Sequence, residues 1–431
     1  MNLDVLVLGA GPAGSSTARR LAAAGAQVAL IGGPARPGCE GLSSRTMGLL
    51  AEEGLPGLAA LARGPLPRAG RWAAGRAVTG SESLVDRAAL ADALRRCAVA
   101  AGARDVREVV ADVTRLTDGW RVARRGAPAL SAPLLVDARG RRGAAQRGPV
   151  LLAVGQSYLT AAPRHAGTRV HATDQGWVWA ATAGRELWVQ VVGRPRAGLP
   201  RDWLRSAVEE HPELARLLAG AKPLGSAVAR PAHARLGIHG PDPSRWQVGD
   251  AAFALDPLSG QGVYEALRGA RLVSTALLNV LDGGDAALAQ RFVRERTREA
   301  WQRGVSLAAG FYHEWAARSA FWAQTAAAYA ALREPAVPQP PHVARRPVLE
   351  HGRIVEREVI ITGSHRRGVW QVAGVPVAEL KGYLERAAGA TLMTSASALA
   401  QPPAAVAVAV RWLHMAGALS SQVLPSMESG G

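Results

Sequence analysis

The stretch that most restricts the fold lies at the start of the chain. Asp4-Val-Leu-Val-Leu8 is a short, branched apolar run of the kind that forms a buried parallel strand. Gly9-Ala-Gly11-Pro12-Ala13-Gly14 follows at once, then the helix-favouring Ser15 to Ala24, which Gly25 stops, and Gln27 to Ile31 reads as a second strand. Strand, glycine turn, helix and strand within about thirty residues predict a dinucleotide-binding unit. Gly9 makes the tight turn, Gly11 lets backbone amides approach a pyrophosphate, and Gly14 lets the helix lie close on the strand; the helix N-terminus then faces the phosphates. One expected element is missing. An acidic residue normally closes the second strand to hold the adenosine ribose, but Ile31 is followed by Gly32-Gly33-Pro34, so the ribose falls to backbone or to a later side chain such as Arg36.

A second motif turns a dinucleotide site into one for FAD. Trp246-Gln-Val-Gly249-Asp250 reads as a strand ending with its carboxylate placed to accept a ribityl hydroxyl. Asp256-Pro257-Leu-Ser-Gly260-Gln261-Gly262-Val263 then opens a helix from Tyr264 to Leu281. That helix N-terminus suits the flavin pyrimidine, where it stabilises negative charge on the reduced ring.

Together the two motifs resemble the flavoprotein family that includes aromatic hydroxylases, geranylgeranyl reductases and tryptophan halogenases, over roughly residues 1 to 335. The resemblance implies an α/β fold with a glutathione-reductase-type FAD-binding Rossmann domain. Within Glu82-Ser-Leu-Val-Asp86-Arg87-Ala-Ala-Leu90, heading a helix to Ala101, it implies that Arg87 contacts FAD; a surface cap is the alternative. It also implies that the loop Cys39-Glu40-Gly41-Leu42-Ser43-Ser44-Arg45 crosses near the flavin ring, and Val110 joins the cofactor contacts. Leu134-Leu-Val-Asp137-Ala-Arg139-Gly140-Arg-Arg142 looks like the Asp-Ala-x-Gly-Arg of the reductase and halogenase branches. Hydroxylases that bind a nicotinamide cofactor carry Asp-Gly there. The electron donor is therefore either NAD(P)H or a separate flavin reductase, and Asp137 has a purely structural role as its alternative.

Between Pro149 and Trp246 the pattern changes to alternation, as in Thr168 to Ala172, Gly176 to Ala181 and Glu186 to Val192. An antiparallel sheet inserted into the FAD domain is expected, with one face over the flavin. Trp177, Trp179 and Trp188 read as sheet packing or as pocket lining. Trp177-Val-Trp179 invites comparison with the halogenase Trp-x-Trp-x-Ile-Pro, but Ala180-Ala-Thr follows, and the first lysine is Lys222, where a halogenase lysine belongs near the N-terminus. Phe311, Trp315 and Trp322 recur at helical spacing on Asp285 to Arg333 and read as core. His165, His171 and His313, with His233 and His239, are the candidate acid/base groups, though a histidine standing alone is more often a hydrogen-bonded or surface residue. None has metal-ligand spacing, so no metal is expected.

Glu334 to Pro341 is a proline-rich hinge. Beyond it a strand at Gly352 to Ile361 and helices at Val377 to Ala388 and Pro403 to Ala416 make a small α+β domain, with a frayed tail from Ser420. The expected domains are 1–148 with 246–334 for FAD, 149–245 as substrate sheet and 335–431 as a C-terminal domain that recognises a protein substrate.

Composition excludes other classes. The formal charge of +17 comes almost wholly from arginine, with Lys222 and Lys381 the only lysines. No arginine block interleaved with aromatics suggests a nucleic-acid platform. No uncharged apolar run of about eighteen residues would span a bilayer, and no basic segment precedes the first apolar run, so a cytoplasmic chain is expected. Cys39 and Cys97, the only cysteines, are expected as free thiols.

Cys-Glu-Gly-Leu-Ser, Asp-Ala-x-Gly-Arg and Asp-Pro-Leu-Ser-Gly-Gln-Gly in combination most resemble the flavoprotein monooxygenases that hydroxylate a tryptophan within a protein. These make peptidyl quinone cofactors, as the maturation monooxygenases of quinohemoprotein amine dehydrogenases do. The resemblance implies that reduced FAD and dioxygen form a C4a-hydroperoxide whose distal oxygen passes to an indole ring. Hydroxylation of a small aromatic molecule, prenyl reduction, halogenation and a non-enzymatic FAD-bound assembly factor are the alternatives.

Overall fold

The computed structural model describes residues 2–419 apart from 56, 73–75, 78–79, 111, 199, 241, 335–339 and 388. Most of the expected hinge and the whole expected tail lie outside the described residues.

The opening strand Val5–Leu8 is fully buried and occupies the middle of a five-stranded sheet. Leu134–Asp137 and then Arg245–Gln247 flank it on one side, Val28–Ile31 and Arg104–Val106 on the other, all in parallel. Strands buried on both faces cannot alternate in polarity, which explains the continuous apolar runs that made them legible. The helix Pro12–Ala23 crosses between the first two strands and buries Ala13, Ala18 and Leu21. It lies close because Gly14 has no side chain: a Cβ there would sit 1.8 Å from the Gly9 carbonyl oxygen. Gly9 adopts φ +111°, and a Cβ on it would meet the Ala138 carbonyl at 2.3 Å. The helix is braced from behind by Glu53, 2% exposed, whose carboxylate accepts from Ser16 at 2.8 Å and pairs with Arg19 and Arg20.

The middle of the chain departs from the expectation of a separate antiparallel insert. Leu152–Thr173 and Gly176–Gly193 form a long hairpin, and Lys222–Pro231 pairs antiparallel with the first of them. That first strand also runs parallel to Ala62–Trp72, which continues through Ser81–Asp86 to Cys39–Leu42. One mixed sheet thus joins the middle segment to strands from the first hundred residues. Period-two alternation divides the hairpin into two faces. Val178, Ala180 and Val189 pack with Trp203 and Leu204 of the helix Pro200–Glu209, whereas Trp177, Trp179 and Trp188 join a core with Trp301, Tyr312, Trp322 and Tyr329. The run carrying Phe311, Trp315 and Trp322 is two helices, Ala286–His313 and Ala320–Ala331, separated by a turn that holds Trp315. Trp322 is buried, as expected of core.

The chain divides into two compact units, Met1–Leu278 with Thr297–Arg333, and Asn279–Arg296 with Glu334–Gly431. In the second unit, His342–Glu350 and Arg353–Ile361 form an antiparallel hairpin. Helices Val377–Arg386, Leu392–Ala398 and Pro403–Met415 enclose Val406, Val410 and Leu413. Arg291 ties Asn279–Arg296 into this unit through Glu356. Among the described residues no single helix is long and apolar enough to cross a membrane.

Candidate active site

The two glycine motifs meet in the first unit at a cavity of about 390 Å³. On one side it is lined by Gly11, Pro12 and Ala13 of the first turn and by Asp250, Pro257, Gly260 and Gly262 of the second. Gly11 caps its helix with no side-chain partner, so the first amides are left for a ligand. Nothing lies within 4 Å of where a Cβ on Gly11 would stand. The turn therefore faces open space that a side chain would fill, which is the geometry a pyrophosphate requires, and the residues present fit FAD. Asp250 pairs with Arg141 at 3.1 Å at the cavity edge. Asp256 caps the turn Pro257–Ser259 by accepting from Leu258 N at 2.9 Å, and Gly260 closes it at φ +62°.

Glu40, Gly41 and Arg87 also line the cavity, and Arg87 forms an ion pair with Glu40. Cys39 lies beside them, but burial, with the charges of Glu40, Glu82 and Asp86, pushes its thiol up to about 12, so it is no nucleophile at neutral pH. Both cysteines are free. Asp137 is buried at the end of its strand, bidentate to Arg139 at 2.7 and 2.9 Å and 3.3 Å from Arg245. Burial pushes its carboxyl up, and the bonds from Arg139 outweigh that and hold it below the usual range. It is held by these arginines and does not line the cavity.

Several residues expected at the site lie off this lining. Arg36 is exposed on the loop after the second strand, Arg45 is exposed with its guanidinium 4.3 Å over the Tyr264 ring, and Val110 packs into the core behind the parallel sheet. Gln261 is exposed between Gly260 and Gly262. None of the candidate histidines lines the cavity. His165 is exposed in the irregular part of the hairpin, and His313 is exposed at a helix end. His171 follows the cavity-lining Val170 and so points to the opposite face, beside His211 and 3.7 Å from Glu213. Burial and the neighbouring His211 lower its pKa, leaving it neutral.

A second part of the wall, built on the mixed sheet, comes from side chains that are far apart in sequence: Arg68, Glu82, Trp177, Trp179, Gln190 and Arg230. Behind it lies a buried polar chain. Trp177 Nε1 donates to the Tyr312 hydroxyl at 3.3 Å, and Tyr312 and Tyr329 donate to Asp256 Oδ2 at 3.1 and 2.7 Å. Burial pushes the Asp256 carboxyl up against the pull of these donors, and both phenols are pushed well above their usual range. The network holds the Asp256-Pro257 turn and the Trp177 ring in one register. Asp256 stood in a recognisable motif without a role, and the alternation of Trp177 and Trp179 was the only signal for this wall. A cavity of about 500 Å³ in the second unit, beside Lys381 and Tyr383, has no residue of either glycine motif in its lining.

Comparison with known proteins agrees with this geometry. The FAD binding domain family matches residues 2–147, and no curated protein sequence matches the chain. Among solved structures, the flavin-dependent halogenase CmlS covers 97% of this chain and 95% of its own at 18% identity and TM-score 0.70. A geranylgeranyl bacteriochlorophyll reductase-like protein of Thermoplasma acidophilum covers 76% and 90% at 17% identity and TM-score 0.59. These two share the fold. The peptidyl tryptophan dihydroxylase QhpG, described as essential for tryptophylquinone cofactor biogenesis, covers 97% of this chain and 100% of its own at 30% identity and TM-score 0.82. At that identity over nearly the whole of both chains, this protein is an FAD-dependent monooxygenase and belongs to the family of the peptidyl tryptophan dihydroxylase QhpG.

Proposed function

We propose that this enzyme hydroxylates a tryptophan side chain of a partner protein during tryptophylquinone biogenesis, consuming dioxygen. The observation that carries the reading is the 30% identity to QhpG along the full length, second unit included. On this reading the first helix N-terminus at Gly11 holds the FAD pyrophosphate, Asp250 accepts from the ribityl chain, and the Gly260-Gln261-Gly262 turn faces the pyrimidine. FAD, reduced by a nicotinamide nucleotide or a separate flavin reductase, supplies the two electrons that activate dioxygen. Trp177, Trp179 and Leu258 exclude water from the reacting ring, and Asp256 with its two tyrosines keeps that wall in place.

The domain roles follow. Residues 1–148 and 246–334 serve the cofactor, the sheet face of 149–245 serves the target ring, and 335–431, joined by Asn279–Arg296, serves the partner. A protein substrate needs area beyond its reacting ring to offset the entropy of association. Exposed Arg353, Arg366 and Arg367 suit an acidic partner. The two free thiols support a reducing compartment, and the reaction is assigned to the cytoplasm on this reading.

Co-expression of a candidate partner with and without this chain, followed by mass spectrometry, tests the reading. The expected result is added oxygen on tryptophan, labelled when the dioxygen is labelled. Halide-dependent product, or prenyl reduction without oxygen, overturns it. Halogenation is disfavoured because the first lysine, Lys222, is exposed on a strand outside the cavity lining. Arg353→Glu with Arg366→Glu is expected to lower partner hydroxylation at unchanged FAD content.

A further inference from the structure

Glu82 is a carboxylate in the cavity wall for which the cofactor motifs supply no task. It lies on the strand Ser81–Asp86, is 8% exposed and lines the cavity. Among the described residues no arginine is paired with it; its hydrogen-bond partner is Trp179, whose indole Nε1 donates to Glu82 Oε1 at 3.2 Å. The second oxygen lies over Gly41 of the facing strand, which lines the cavity with Glu82. A Cβ on Gly41 would stand 2.1 Å from Glu82 Oε2 and 3.1 Å from Trp179 Cζ2. The charge acts locally, since Glu82 follows burial and Glu40 among the causes that push up the Cys39 thiol.

A buried carboxylate is costly unless its oxygens are satisfied, and an ionised one offers about four lone-pair sites. One indole N–H occupies one site. The protein therefore displays, in its own wall, the interaction that a second indole would make.

We infer that Glu82 is the substrate-recognition residue of this cavity and accepts a hydrogen bond from the N–H of the target indole through Oε2. The inference rests on the tryptophan-hydroxylase reading and names its specificity element. As a C–O bond forms on the ring, positive charge spreads to the ring nitrogen, and a carboxylate beside that N–H stabilises it. The N–H proton stays on nitrogen; the ring C–H proton is the one lost as aromaticity returns. The other oxygen atom leaves as water, with the two electrons of the external reductant.

The test uses the FAD-loaded full chain with indole and 1-methylindole, which lacks the donor, and reads binding from perturbation of the flavin spectrum. Wild type is expected to prefer indole by about ten- to a hundredfold, the range of one hydrogen bond to a charged group. Glu82→Leu is expected to erase that preference at unchanged FAD content. Glu82→Gln, which keeps an acceptor, retains much of the preference while hydroxylation of the partner tryptophan slows and peroxide release rises. Trp179→Phe, which frees Oε1, preserves the preference. Equal binding of both indoles by wild type, or a preference that survives in Glu82→Leu or disappears in Trp179→Phe, overturns the assignment. The underlying reading fails separately, when wild type itself places no oxygen on a partner tryptophan.

Discussion

The two walls of the cavity are built on opposite plans. The cofactor wall is mostly backbone: two glycine turns and two helix N-termini, each contained in a short stretch of chain. The other wall is mostly side chain: Glu82, Arg68, Trp177, Trp179, Gln190 and Arg230 arrive on four strands of one mixed sheet. A backbone wall tolerates no added atoms and recognises what every member of the fold binds. A side-chain wall can be rewritten residue by residue, so the fold can serve a halogenase, a reductase and a hydroxylase.

The sharpest way to break this contrast is Gly11→Val. Its Cβ would enter the open cradle with no protein atom within 4 Å, so the fold is expected to survive while FAD binding is lost. A normal flavin spectrum in the variant would show that the first wall is not the pyrophosphate site.

Glu53→Gln probes how firmly that wall is held. Removing the charge that Arg19 and Arg20 share is expected to cost about 2 kcal/mol, less than a fully buried pair because both arginines reach water. Burial pushes the Glu53 carboxyl up, but hydrogen bonds from Arg19 and Ser16 and the charge of Arg20 outweigh it, leaving it below the ordinary 4.5. The folded state thus favours the ionised form. Its contribution is complete above the unfolded value and fades as pH falls through the lower folded one. Denaturant unfolding across acidic pH should show wild type losing this increment and the variant lacking it throughout.

Tyr329→Phe tests the other wall. It removes the 2.7 Å donor to buried Asp256, and a loss of about 1 kcal/mol is expected by thermal unfolding. FAD content should hold while hydroxylation per dioxygen consumed falls. Tyr312→Phe is expected to act in the same sense, since it also leaves the Trp177 N–H unpaired. Loss of FAD in either variant would mean that the two walls are not separable.

The cofactor wall was legible because its function depends on local geometry. Gly9, Gly11 and Gly14 are spaced by the pitch of a turn entering a helix, and any chain that makes this turn must show them. Arg45 and Arg36 lie off the lining for the converse reason: each is a long, exposed side chain, Arg45 in the helix Ser44–Glu52 and Arg36 on a loop, and no local pattern fixes where such a side chain points. For His171 the reason is parity. His171 differs from cavity-lining Val170 by one residue, and on a strand one residue reverses the face.

The sequence alone determined the opening strand–turn–helix unit and the second glycine turn, and with them the flavin they fit, because each motif depends on residues a few positions apart. Only the tertiary structure decided that Glu82 meets Trp179, that Asp256 is held by Tyr312 and Tyr329, and that residues 152–193 join strands from 39–86. Those partners are separated by between 56 and 100 positions. Their meeting is set by sheet register and by which face the alternation exposes, neither of which leaves a local pattern in the chain.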